Sequence, residues 1–123
     1  MNRARIRDLS DTQLVEHFVE ISLAQDLALL RSEVSKFNRL FDRKTAVLAE
    51  LKSRGADQRR LLLNLFNHAN AQVRLNAAKA TLAVAPETAR SQLQRLVDSK
   101  EYPQAGDAGM CLWNLDRGIF KPT

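Results

Sequence analysis

Apolar residues recur at intervals of three and four along most of the chain, and nowhere alternate with period two long enough to make a strand. The first stripe is Leu14, Phe18, Ile21, Leu27 and Leu30, with Val15 and Leu23 beside it, and it predicts a helix to about residue 30. Ser10-Asp11-Thr12-Gln13 fits a capping box ahead of that stripe, and Leu9 with Leu14 fits a hydrophobic staple. A second stripe, Val34, Phe37, Phe41, Leu48 and Leu51, predicts a helix from about Glu33 to Arg54, with Gly55 as its stop. Asp57 can cap a short third helix carrying Leu61, Leu62, Leu65 and Phe66. Asn70 suits the N-cap of a fourth, Ala71 to Ala85. Pro86 ends that helix and opens a fifth, in which Leu93, Leu96 and Val97 are apolar. Pro103 starts a sixth, which Gly118 closes.

Set against itself at a shift of 31 residues, the chain pairs Leu62 with Leu93, Leu65 with Leu96 and Phe66 with Val97. In the helices that follow, Ala77 pairs with Ala108, Ala78 with Gly109, Ala80 with Cys111, Leu82 with Trp113 and Val84 with Leu115. The same shift backwards sets Ala46, Ala49 and Leu51 against Ala77, Ala80 and Leu82. On the fourth helix, Val73, Ala77, Ala80 and Val84 form one apolar flank, and Leu75, Ala78, Leu82 and Ala85 form another. Together they leave only Gln72, Asn76, Lys79 and Ala83 outside the apolar arc, which is stacking geometry rather than a one-sided surface helix. The expectation is an all-α single domain over residues 1–123: a flexible tail at 1–9, a capping helix at 10–30, a worn repeat helix at 33–54, repeats at 57–85 and 86–118, and a tail at 119–123.

Residues 61–84, LLLNLFNHANAQVRLNAAKATLAV, resemble a HEAT/armadillo-type repeat: a leucine-rich helix, a short turn, then Val-Arg followed by small residues and a leucine. Asn70-Ala71 stands where that family commonly has Asp-Pro, and Gln104-Ala105 replaces Val73-Arg74 in the next unit. The whole chain also resembles a small bacterial domain-of-unknown-function family of HEAT-like proteins, through its ending QAGDAGMCLWNLDRGIFKP. The resemblance implies an α-α superhelix of about six helices with a protein-binding surface, and it implies no reaction. It also implies that Arg74 joins a hydrogen-bonded ladder between repeats.

Composition narrows the classes further. With 45% apolar and 27% charged residues the composition is that of an ordinary globular protein and argues against disorder, and one cysteine, Cys111, allows no internal disulfide. No apolar run approaches the ~20 residues that span a bilayer, and none follows Arg3, Arg5 and Arg7 as a secretory leader requires. A cytoplasmic protein with no membrane partner is expected. The net charge of +5 is carried by residues 31–60, through Arg31, Lys36, Arg39, Arg43, Lys44, Lys52, Arg54, Arg59 and Arg60. Such a region can hold nucleic acid, or it can be a solvated helix face with Glu33, Asp42, Glu50 and Asp57 interspersed.

Candidate chemistry is sparse. His17 and His68 form no metal motif with each other or with Cys111, and Gly106-Asp107-Ala108-Gly109 lacks phosphate-loop spacing. No metal, cofactor or catalytic residue is expected. Gly109 aligns with Ala78 and reads as a site of close helix packing. Arg74 lies within the apolar arc, so it is expected to be largely buried on a carboxylate or carbonyl. Ser10 and Asn70 are structural caps. Gln72, Asn76 and Lys79, with Asp107, Met110 and Asn114, share one outward stripe and form the candidate binding face; Phe41 and Leu48 hold that stripe in the worn unit, where the first helix is expected to cover it. The expected function is a non-enzymatic protein–protein interaction module, of adaptor or toxin-neutralising type. The alternative is a nucleic-acid-binding protein using residues 31–60.

Overall fold

Ser10 opens the first helix reciprocally: its hydroxyl accepts from the Gln13 backbone N–H at 3.1 Å, and Gln13 Oε1 accepts from the Ser10 N–H at 2.9 Å. The structure is a computed structural model that describes residues 5–123. It contains five α-helices, α1 (Asp11–Leu30), α2 (Val34–Ser53), α3 (Ala71–Ala80), α4 (Pro86–Ser99) and α5 (Gln104–Asp116). Two 3-10 segments, Ile6–Asp8 and Gln58–Leu65, complete the regular structure, and there is no strand among the described residues. Among the described residues no helix is long and apolar enough to cross a membrane. The chain divides into two compact units that meet in sequence between Leu61 and Leu62.

In the first unit α1 packs on α2 as a hairpin. The turn is a Schellman motif built without glycine: Ser32 takes φ 56°, Glu33 N–H reaches the Ala28 carbonyl at 2.9 Å, and Ser32 N–H reaches that of Leu29 at 3.2 Å. Leu14, Phe18, Ile21 and Ala28 of α1 are buried, and each fully buried large apolar side chain is worth about 1.5–3 kcal/mol. From α2 the row that faces the core is Leu40, Val47 and Leu51. The stripe expected there is therefore corrected: only Leu51 of it is buried, while Val34 and Phe41 are exposed. The two rows lie on neighbouring flanks of one helix, and packing on α1 selects the flank with Leu40 and Val47. Leu27 and Leu30 of the α1 stripe are likewise exposed near the turn.

The expected tail at 1–9 falls partly outside the described residues, at 1–4. Ile6–Asp8 forms a 3-10 turn that Arg54 holds from the C-cap of α2. Its guanidinium donates to Asp11 Oδ1 at 2.9 Å and to the Ile6 and Arg7 carbonyls at 3.4 and 3.2 Å.

The second unit contains α3, α4 and α5, which pack on one another. Leu75, Ala78, Leu82, Ala89, Leu93, Leu96, Ala108 and Cys111 form its buried cluster. Asn70 Oδ1 caps α3 by accepting from the Gln72 and Val73 N–H groups at 2.8 and 3.1 Å. Two expected helices differ. Residues 58–65 wind as a 3-10 segment, whose three residues per turn bring Leu62 and Leu65 onto one edge. The fourth expected helix ends at Ala80 rather than Ala85. The Thr81 hydroxyl binds back to the Ala77 and Ala78 carbonyls at 2.8 and 3.2 Å, and Pro86 bars any resumption until α4 begins. Gly118, at φ 71°, follows α5 as expected.

Candidate functional site

Two members of the expected binding stripe are not on the surface. Gln72 and Asn76 are each 4% exposed and belong to a buried amide chain. Gln104 Nε2 donates to Gln72 Oε1 at 3.0 Å, and Gln72 Nε2 donates to Asn76 Oδ1 at 3.0 Å. The polar remainder of the α3 wheel meets the first turn of α5, not water, so these residues hold the two helices in register.

The other four stay at or near the surface. Lys79 Nζ lies 3.0 Å from Asp107 Oδ1, which ties α3 to α5. Met110 is exposed, and Asn114 is half-buried with its carbonyl accepting from the Ile119 and Phe120 N–H groups at 2.9 and 3.2 Å. Arg74 is mostly buried and donates to Glu101 Oε1 at 3.0 Å.

The outer side of α5 carries more than the sequence pattern assigned to it. Gly106, Met110, Trp113 and Arg117 follow at spacings of four, three and four, opposite the buried Gln104, Ala105, Ala108 and Cys111. Trp113, which the 31-residue shift pairs with the buried Leu82, is 48% exposed, and Met110 is 59% exposed. The Arg117 guanidinium sits 4.2 Å from the centroid of the Trp113 ring. Tyr102, 70% exposed, lies next to Gly106, where an added Cβ would stand 3.8 Å from its ring. Ion pairs border this row on both flanks, Lys79–Asp107 from α3 and Arg90–Asp116 from α4. An apolar strip with aromatic, Met and Arg members inside a charged rim has the anatomy of a binding patch. Its signal in the sequence is the spacing of Met110, Trp113 and Arg117 against the small residues of the opposite side.

Beneath the strip Cys111 is buried, and that burial pushes its thiol pKa up, the reverse of what a nucleophile needs. Among the described residues no group of three His, Cys, Asp or Glu is arranged to hold a metal ion.

In the first unit the basic residues divide by role. Arg54 pairs with Asp11 and Glu50, Arg59 pairs with Asp57 at 2.7 Å, and Lys44 lies 4.8 Å from the centroid of the Phe41 ring. Phe41 is half exposed, so α1 does not cover it as expected. A groove of about 730 Å³ runs between α1 and α2, with Glu16, His17 and Glu20 on one side and Asp42 and Arg43 on the other. His17 Nδ1 stands 3.7 Å from Glu20 Oε2.

Residues 12–116 match a family described as a domain of unknown function, DUF2019. Among solved structures, the crystal structure of the protein RPA1889 from Rhodopseudomonas palustris CGA009 is 51% identical to this chain. The match covers 98% of this chain and 100% of that one, with a TM-score of 0.94. No curated protein matches.

Proposed function

The chain belongs to the DUF2019 family, and from that footing we propose that it is a non-catalytic, HEAT-like helical module that binds another protein through the outer side of α5. The observation that carries this reading is the exposed row of Met110 and Trp113, with Tyr102 beside it, inside the rim of Lys79–Asp107 and Arg90–Asp116. Tyr, Trp, Met and Arg are the residue types that concentrate binding energy at protein interfaces, because they bury large areas at modest entropic cost. Exposure of Trp113 and Met110 on one short helix, with Tyr102 just ahead of it, has no use in the core of its own unit. The HEAT-like part of the reading is supported by the repeat partners Leu62 and Leu93, and Ala77 and Ala108, all fully buried. The raised thiol pKa of Cys111 favours packing over chemistry at the one cysteine. An adaptor or a neutraliser of a toxin would both use such a patch.

The test is affinity capture from a lysate of the producing organism with wild-type protein and a Met110→Asp/Trp113→Ala variant. A partner captured by the wild type and weakened at least tenfold by the double change supports the patch. A charge reversal of Lys79 and Asp107 together should weaken it less, since rim charges act chiefly on association rate. Equal capture by the wild type and the Met110/Trp113 variant would remove this face from consideration.

A further inference from the structure

The α1–α2 hairpin carries a second surface, in which an apolar row and a cationic row run side by side. Its register follows from the groove, where Glu16, His17 and Glu20 of α1 face Asp42, Arg43 and Ala46 of α2. In an antiparallel pair, one turn forward along α1 is one turn back along α2, so Leu23 and Leu27 fall level with Arg39 and Lys36 along the hairpin. Leu23 and Leu27 are each 41% exposed, and Leu30 beyond them is 78% exposed. Lys36, Arg39 and Arg43 border a hollow of about 320 Å³ with Leu40 in it.

These three cations differ from the others of the basic stretch. Arg54 and Arg59 are held by carboxylates and Lys44 by an aromatic ring, whereas Lys36, Arg39 and Arg43 have no carboxylate within 4.0 Å among the described residues. Like charges at spacings of three and four repel one another along a helix, so the arrangement costs the free protein stability that a polyanionic partner would return.

We infer that this face docks an amphipathic helical segment of another protein, whose apolar row covers Leu23, Leu27 and Leu30 and whose carboxylates enter the hollow between Lys36, Arg39 and Arg43. The neighbouring chemistry chooses this occupant over other polyanions. A nucleic-acid backbone offers nothing to a row of leucines. A bilayer surface offers both an apolar interior and phosphates but is flat, while the cations here surround a concavity that acidic side chains can enter. Lys36 to Arg43 spans about 10.5 Å along α2, two helical turns, which matches carboxylates repeated every three or four residues on the incoming helix. From the level of Arg43 away from the turn the face turns acidic, at Asp42, Glu20 and Glu16, and this orients the segment with its acidic half toward the turn at Ser32.

The experiment uses the full chain and a fluorescein-labelled 18-residue helical peptide, with leucines at helical spacing, glutamates flanking them in one half and lysines in the other. Fluorescence anisotropy should show micromolar binding that weakens with salt, and a scrambled peptide of the same composition should bind at least tenfold less tightly. Arg39→Glu/Arg43→Glu should weaken the ordered peptide at least tenfold and Leu27→Ser at least threefold, with Arg95→Glu on exposed α4 leaving it unchanged. Should the double reversal lower helicity by circular dichroism, Arg39→Gln/Arg43→Gln answers the same question. No binding of the ordered peptide, equal binding of the scrambled one, or indifference to Arg39 and Arg43 would overturn the inference. So would tighter binding to duplex DNA or to phosphatidylglycerol vesicles without dependence on Leu27. These readouts lie on α1 and α2, so their failure leaves the α5 reading standing, and the converse holds.

Discussion

Gln104 at the start of α5 donates its side-chain amide to Gln72 on α3 across 3.0 Å, in a contact between residues 32 apart in sequence. Both side chains are buried, and Gln72 passes the interaction on to Asn76. The second unit is thus aligned by amides placed inside an otherwise apolar junction. Removing one member takes a partner from another buried group, which costs more than the bond itself contributes. Gln72→Ala should lower the unfolding free energy by about 1–3 kcal/mol, seen as a lower urea midpoint at unchanged slope. Gln72→Leu/Gln104→Leu, which removes the pair together, should lose less than the sum of the two single changes.

Gly109 illustrates a place where a methyl group has room. A Cβ there would meet only Val97 Cγ2 at 3.7 Å, an ordinary contact, so the close approach expected from its alignment with Ala78 does not require glycine. Since glycine inside a helix costs backbone entropy, Gly109→Ala should stabilise the protein by about 0.5–1 kcal/mol and raise its melting temperature. A lower melting temperature would show that the α4–α5 contact is tighter than this distance indicates.

Asp57 adopts φ 73° and accepts from Arg59 through both carboxylate oxygens, at 2.9 Å to Nε and 2.7 Å to Nη2. The hydrogen bonds to the Arg59 side chain hold its carboxyl below the ordinary carboxylate range. A folded-state pKa that is depressed adds stability above the unfolded pKa and loses it as the pH falls through the folded one. The difference in stability between wild type and Asp57→Asn should therefore be flat from pH 8 to 5 and shrink below about pH 4. Asparagine tolerates the same backbone conformation, so the comparison isolates the ion pair. A difference that persists unchanged into acid would assign the loss to packing.

Burial raises the Cys111 thiol pKa and also shields the sulfur, so both effects slow its modification. Labelling with a disulfide reagent at pH 8 should be roughly 100-fold slower in the native protein than in urea, at a rate set by local opening. Labelling at the unfolded rate would mean that α5 leaves its seat readily.

Much of the fold is legible in the sequence because its signals are local. Ser10 and Asn70 act as caps within three residues of themselves, Pro86 opens α4 and Gly118 follows the end of α5 by their own covalent geometry. What is not legible depends on a distant partner. Two apolar rows on α2 compete in the pattern, and only α1 decides that Leu40 and Val47 face inward. Gln72 and Asn76 read as solvent-facing until Gln104 is brought against them. The 31-residue shift places Trp113 with Leu82, but α5 is buried on one side only, and the ring falls on the other. Charge is informative at the same level: nine basic residues in 31–60 look alike in sequence, and only side-chain geometry separates the structural Arg54 and Arg59 from Lys36, Arg39 and Arg43.

The reach of Arg54 from the C-cap of α2 to Asp11 and to the carbonyls of Ile6 and Arg7 makes the α1–α2 hairpin a closed circuit. Its turn end is sealed by the backbone at Ser32, and its far end by one guanidinium. Fraying of the start of α1 and of the end of α2 is thereby a single event, because neither can leave without breaking the same contacts. Amide exchange near Asp11 and near Arg54 should rise and fall together, as though two positions 43 residues apart were one.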